Sequence, residues 1–89
     1  MQLPENTRVV MRSKSNCPYC DEARAWLDSR GVAYEEVKLE DQAERNALYD
    51  KLGLIGSQRT VPQISIEDDL LGLSYPVGGS TALARSGLA

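Results

Sequence analysis

Histidine and phenylalanine are absent from this 89-residue chain, and cysteine occurs only twice. A tetrahedral zinc site needs four ligands, so two cysteines without histidine would have to recruit carboxylates or a second chain. An excess of positive charge is also lacking: 10 Lys and Arg stand against 13 Asp and Glu, for a net charge of -3. The two signs are interspersed, which leaves no basic face of the kind nucleic acid requires. Long apolar runs are missing too, and none approaches the length needed to cross a bilayer. The first residues, Met-Gln-Leu-Pro-Glu-Asn-Thr-Arg, hold no charged segment leading into an apolar one, so no secretory signal is read there and a cytosolic location is expected. No repeat or low-complexity tract breaks the chain, and its length suits one domain over residues 1–89.

What is present is concentrated between Lys14 and Cys20, where Lys-Ser-Asn-Cys-Pro-Tyr-Cys places both cysteines two residues apart. One turn of chain brings such a pair within disulfide range. In a reducing cytosol structural disulfides are rare, so this spacing suggests redox work or a metal. Pro18 suits the first position of a helix, where its missing N–H costs nothing, and that makes Cys17 the N-cap. A sulfur there faces unpaired N–H groups and the positive end of the helix dipole, which favour thiolate over thiol. Lys14 adds a cation. Such surroundings lower a cysteine pKa from about 8.5 to roughly 3.5–7.5. Cys17 is therefore the expected nucleophile, and Cys20, one turn into the helix, the resolving thiol.

Around this stretch the periodicity alternates between strand and helix. Arg8 to Arg12 is a short β-branched run suited to a buried central strand. Tyr19, Ala23, Trp26 and Leu27 fall on one helical stripe that Gly31 ends, with Trp26 expected in the core. A second strand is expected from Ala33 to Leu39, with Ala33, Val37 and Leu39 on one side and Tyr34, Glu36 and Lys38 on the other. Asp41 and Glu44 resemble a capping box, followed by a stripe of Ala43, Ala47, Leu48 and Leu52 and a stop at Gly53. These elements form a βαβ unit with parallel strands. A third strand follows Thr60-Val61-Pro62, with Ile64 and Ile66 on one face. Glu67 to Asp69 reads as an acidic turn and Leu70 to Tyr75 as an antiparallel return strand, which Pro76 assigns to an edge. Ser80 is the expected N-cap of a short last helix closed by Gly87.

A βαβ unit, a β-hairpin and a helix, with Cys-x-x-Cys after the first strand, resemble the thioredoxin-like α/β fold with its four-stranded mixed sheet. The chain resembles the glutaredoxin family more closely. Cys17-Pro18-Tyr19-Cys20 matches that family's dithiol motif, Lys14 stands where it places a lysine or arginine, Thr60-Val61-Pro62 matches its TVP element, and Val77-Gly78-Gly79 its hydrophobic-Gly-Gly element.

The resemblance implies a glutathione-dependent thiol–disulfide oxidoreductase that binds no cofactor and no metal and works as a monomer on disulfide-containing proteins. It implies a cis bond before Pro62 and a Val61 backbone that pairs with glutathione like an added strand. Lys14 and Arg45 would hold the glycine carboxylate, with Tyr19 and Thr60 beside them. Gly79, Ser80 and Thr81 would offer N–H groups to the γ-glutamyl carboxylate. Three departures from the family stand out. Ala82 replaces an aspartate that accepts from the glutamyl ammonium, a loss of roughly 1.5–3 kcal/mol if nothing substitutes. Ser65 replaces a phenylalanine, and the hairpin from Glu67 to Val77 is longer than usual. A glutaredoxin-like donor reduced by thioredoxin reductase, serving for example ribonucleotide reductase, is the alternative. The cysteines taken by themselves also allow a zinc or structural disulfide module.

Overall fold

The computed structural model describes residues 5–86. Strand β1 (Thr7–Ser13) runs into helix α1 (Pro18–Ser29), followed by β2 (Tyr34–Lys38), α2 (Gln42–Leu52), β3 (Gln63–Asp68), β4 (Leu73–Gly78) and α3 (Ser80–Arg85). The sheet order is β2-β1-β3-β4, with β1 parallel to β2 and antiparallel to β3, and β4 antiparallel to β3. This is the expected four-stranded mixed sheet. The apolar run of β1 fills a central position because both of its edges are paired and Val9, Val10 and Met11 are all buried.

Alternation along β1 divides the residues between two sides. Val9 and Met11 join Ile64 of β3, Ala23 and Leu27 of α1 and Leu83 of α3 in one cluster, against which Trp26, Tyr34, Ile66 and Val77 pack. Full burial of each large member contributes about 1.5–3 kcal/mol. Trp26 thus lies against the core as expected, with the Arg30 guanidinium 4.4 Å above its ring. A second cluster of Cys17, Cys20, Tyr49 and Val61 lies where α2 approaches the end of β1.

Several local expectations change once the elements pack. In β2 the packed side is that of Tyr34 and Glu36, while Val37 is 42% exposed. Glu36 is held there by Arg24 at 2.7 and 3.0 Å and by the Ser13 hydroxyl, so a polar network replaces the apolar face. Tyr19 leaves its stripe at 65% exposure, whereas Cys20 is fully buried. In α2 the stripe is rotated: Ala43 and Ala47 are exposed, and the inward residues are Arg45, Leu48, Tyr49 and Leu52. Asp41 caps α2 by accepting from the Ala43 N–H at 2.9 Å, but Glu44 does not return the bond. Gly53 ends that helix at φ +70°, as its position predicts.

The return strand starts three residues later than expected. Asp68 Oδ1 accepts the N–H groups of Leu70 and Leu71, each at 3.0 Å, which commits those residues to a turn that Gly72 completes at φ +66°. Pro76 lies in β4 at the sheet edge, opposite Ser65 and next to a register shift, where its missing donor breaks no ladder bond. Helix α3 is capped by Gly79 rather than Ser80, which becomes its first residue. Gly87, the expected stop, lies outside the described residues.

Candidate active site

The site is built where β1 ends. Asn16 takes a left-handed conformation, φ +54°, which an asparagine tolerates better than most residues, and it turns the chain from strand to helix. Cys17 follows as the N-cap of α1 with Pro18 at the first helical position, and its Sγ accepts the N–H of Cys20 at 3.2 Å. The two cysteines are joined as a disulfide with Cα atoms 5.2 Å apart. Cys17 is 5% exposed and Cys20 fully buried beneath it, so only the first sulfur is open to a partner. The Val61–Pro62 bond is cis. The Val61 carbonyl oxygen lies 3.7 Å from Cys17 Sγ, and the Val61 N–H has no partner among the described residues.

Two clefts adjoin at Tyr19, Thr60 and Val61, and Cys17 lines the first of them. The first, of about 350 Å³, is also lined by Lys14, Asn16, Cys17, Pro18, Gln42, Arg45, Tyr49 and Arg59. The second, of about 720 Å³, is completed by Pro62, Gly79, Ser80, Thr81, Ala82 and Arg85. All the residues expected at the site therefore come together on one groove, except that Cys20 lies beneath it. Arg45 is fixed there by hydrogen bonds to the Leu39 carbonyl at 2.6 Å and the Gln42 side chain at 2.9 Å. Arg59 is fixed by the Leu54 carbonyl at 2.8 Å and by Asp50 at 2.6 Å, and its guanidinium lies 5.8 Å from the centre of the Tyr49 ring.

Arg59, Tyr49, Gln42 and Arg85 are the residues that sequence reasoning missed. For Tyr49 a signal existed: Arg45, Leu48, Tyr49 and Leu52 fall at i, i+3, i+4 and i+7, a narrower stripe than that of Ala43, Ala47, Leu48 and Leu52. For Arg59 and Arg85 there was none. They lie on different elements, and only the packing of those elements brings them to the groove.

The glutaredoxin family model matches residues 9–71, more than half of the chain and including both cysteines and Thr60-Val61-Pro62. The chain belongs to the glutaredoxin family. Among glutaredoxins, glutaredoxin 1 of Rickettsia conorii is 36% identical over 77 residues, which cover 84% of this chain and 67% of that one. Glutaredoxin 3 of Escherichia coli is 35% identical over 65 residues, covering 72% of this chain and 74% of its own length. Glutaredoxin 1 from Francisella tularensis, solved with cacodylate, superposes with a TM-score of 0.72 at 32% identity and covers 90% of this chain and 91% of that one. A buckwheat glutaredoxin–glutathione complex superposes with a TM-score of 0.70 at 26% identity, covering 90% of this chain and 67% of that one. Glutaredoxins are thiol–disulfide oxidoreductases, and Cys17–Cys20 is the redox-active pair of this one. The family match stops before β4 and α3, so Ala82 and Arg85 lie beyond it.

Proposed function

We propose that this glutaredoxin reduces protein disulfides and glutathione mixed disulfides through Cys17, with glutathione as its reductant. The observation that carries the reading is the position of Cys17 Sγ, the more exposed of the two cysteine sulfurs, in the first cleft and 3.7 Å from the carbonyl oxygen of Val61, whose N–H has no partner among the described residues. A cysteinyl backbone laid along Val61 can pair with that N–H as an added strand does and present its sulfur to Cys17. Lys14 and Arg45 suit the glycine carboxylate on one side. On the other, no side chain caps α3, so the N–H groups of Ser80 and Thr81 are open to the γ-glutamyl carboxylate.

In the forward reaction the Cys17 thiolate attacks one sulfur of the disulfide, which becomes bonded to Cys17, while the other sulfur is released as a thiolate that takes up a proton. With a glutathione mixed disulfide the adduct is Cys17 joined to glutathione, and a second glutathione thiolate displaces it as glutathione disulfide. With a protein disulfide, Cys20 attacks the adduct at Cys17, forming the Cys17–Cys20 bond and freeing the protein dithiol. Two glutathiones then reopen that bond. Such cycling needs a pool of reducing thiol, which supports a cytosolic site of action.

The second reading is reduction by thioredoxin reductase, in service of a protein such as ribonucleotide reductase. It is favoured by Ala82, since that end of the groove offers no carboxylate for the glutamyl ammonium. Coupled assays separate the two. Turnover with glutathione and glutathione reductase is expected, lost in Cys17→Ser and retained for glutathione mixed disulfides in Cys20→Ser. Turnover only with thioredoxin reductase would overturn the first reading in favour of the second.

A further inference from the structure

The charges along the groove are one-sided. Of 13 Asp and Glu in the chain, none lines either cleft, whereas Lys14, Arg45 and Arg59 line the first and Arg85 the second. Carboxylates near the groove have other partners: Asp50 is held by Arg59, Glu40 accepts the Ser15 N–H at 2.7 Å, and Asp21 is held by Arg24. The hydrogen bonds of Arg45 go to neutral oxygens, and Glu40 is the carboxylate that feels its charge. Lys14 and Arg85 form no ion pair among the described residues. In a protein of net negative charge, Lys14, Arg45 and the Asp50-paired Arg59 thus line the cleft that holds Cys17, and Arg85 lines the adjoining one.

The γ-glutamyl end of glutathione carries an ammonium as well as a carboxylate. On the α3 side that ammonium meets Arg85 and no acid. A peptide segment with Asp or Glu on both sides of its cysteine brings only anions to the same positions. We infer that the groove selects disulfide partners flanked by carboxylates on both sides of the reacting sulfur, with Arg85 as the specificity residue on the α3 side. This rests on the oxidoreductase reading and names the substrate class for it. Opposite charge at a cleft raises encounter rates by about 10-fold or more, and added salt removes that gain.

The test uses the reduced full chain and three peptides of equal length. Each carries one internal disulfide, with its cysteines flanked by Glu, by Gln or by Lys. The protein dithiol becomes the Cys17–Cys20 disulfide as the peptide disulfide becomes a dithiol, and samples quenched with acid are separated by chromatography. The Glu-flanked peptide is expected to react about 10-fold faster than the Lys-flanked one at low ionic strength, with the ratio shrinking in salt. Arg85→Glu and Ala82→Asp should each cut that ratio several-fold, and Arg85→Lys should preserve it, which a merely structural role for Arg85 would not produce. Equal rates for the three peptides, or a ratio that Arg85→Glu leaves unmoved, would overturn this inference alone. Failure to reduce any peptide would overturn it together with the oxidoreductase reading.

Discussion

A cysteine's reactivity depends on the few atoms around its sulfur, and here those atoms differ between two otherwise identical side chains. Cys17 is at the N-cap, where the α1 backbone donates to its sulfur, and it keeps a small opening to the groove. Cys20 has no such opening and is bonded to Cys17 from below. Helix position and nearby cations favour the charged form of Cys17, so its pKa should fall below the ordinary value of about 8.5. In the Cys20→Ser protein, where a single thiol titrates, absorbance at 240 nm should rise through a midpoint in the range of roughly 3.5–7.5. A midpoint near 8.5 would mean that the cap geometry does not activate the sulfur.

Among the elements, the join between β4 and α3 holds the α3 side of the groove in place. Gly78 has φ +114°, and a Cβ built on it would sit 2.9 Å from the Cβ of Ala82. Gly79 is different, with φ -87° and its nearest atom, the Pro62 carbonyl oxygen, at an ordinary 3.5 Å. Of the two adjacent glycines only the first is required by its backbone and its neighbour. Gly78→Ala should therefore destabilise the protein by about 1–3 kcal/mol, and Gly79→Ala by clearly less. Thermal unfolding of the two variants measures the difference. Equal losses would show that the join tolerates a side chain at Gly78.

For the molecule as a whole, much of the polar stabilisation rests on carboxylates that fold into cationic or hydroxyl surroundings. The Arg24 guanidinium, with help from the Ser13 hydroxyl and against the effect of burial, holds Glu36 below the usual carboxylate range. Burial raises Glu67, but the Ser65 and Ser74 hydroxyls and Arg12 outweigh it and leave its carboxyl lowered. A depressed folded pKa means that the unfolded chain takes up protons first as pH falls. The stabilisation is present above the unfolded value of 4.5 and is lost as pH drops below it towards the folded pKa. Urea midpoints should thus hold near neutral pH and fall below about pH 4.5. Glu36→Gln should lower stability at pH 7 by about 1–3 kcal/mol and flatten that acid dependence. A variant with the wild-type acid slope would show that Glu36 does not contribute to it.

The parts decided by the sequence itself are those whose physics is local. The Cys17 cap, Pro18 at the helix start, the stop at Gly53, the edge position of Pro76, and the order of strands and helices each depend on a few consecutive residues, and the cysteine spacing narrowed the chemistry to redox exchange, a metal or a structural disulfide. The tertiary structure decided which side of each element faces inward. In β2 periodicity separated Tyr34 from Val37, but only α1, bringing Arg24 to Glu36, determined that the tyrosine side packs. In α2 the stripe of Arg45, Leu48, Tyr49 and Leu52 is the narrower one but begins with a charge, and the packing against the cysteine loop selected it because it carries Tyr49. The charge of the groove was only half legible in the sequence, which pointed to Lys14 and Arg45 but not to Arg59 or Arg85. Lys14, Arg45, Arg59 and Arg85 come from four different segments, and only the fold brings them to the two adjoining clefts while it leaves the acids outside.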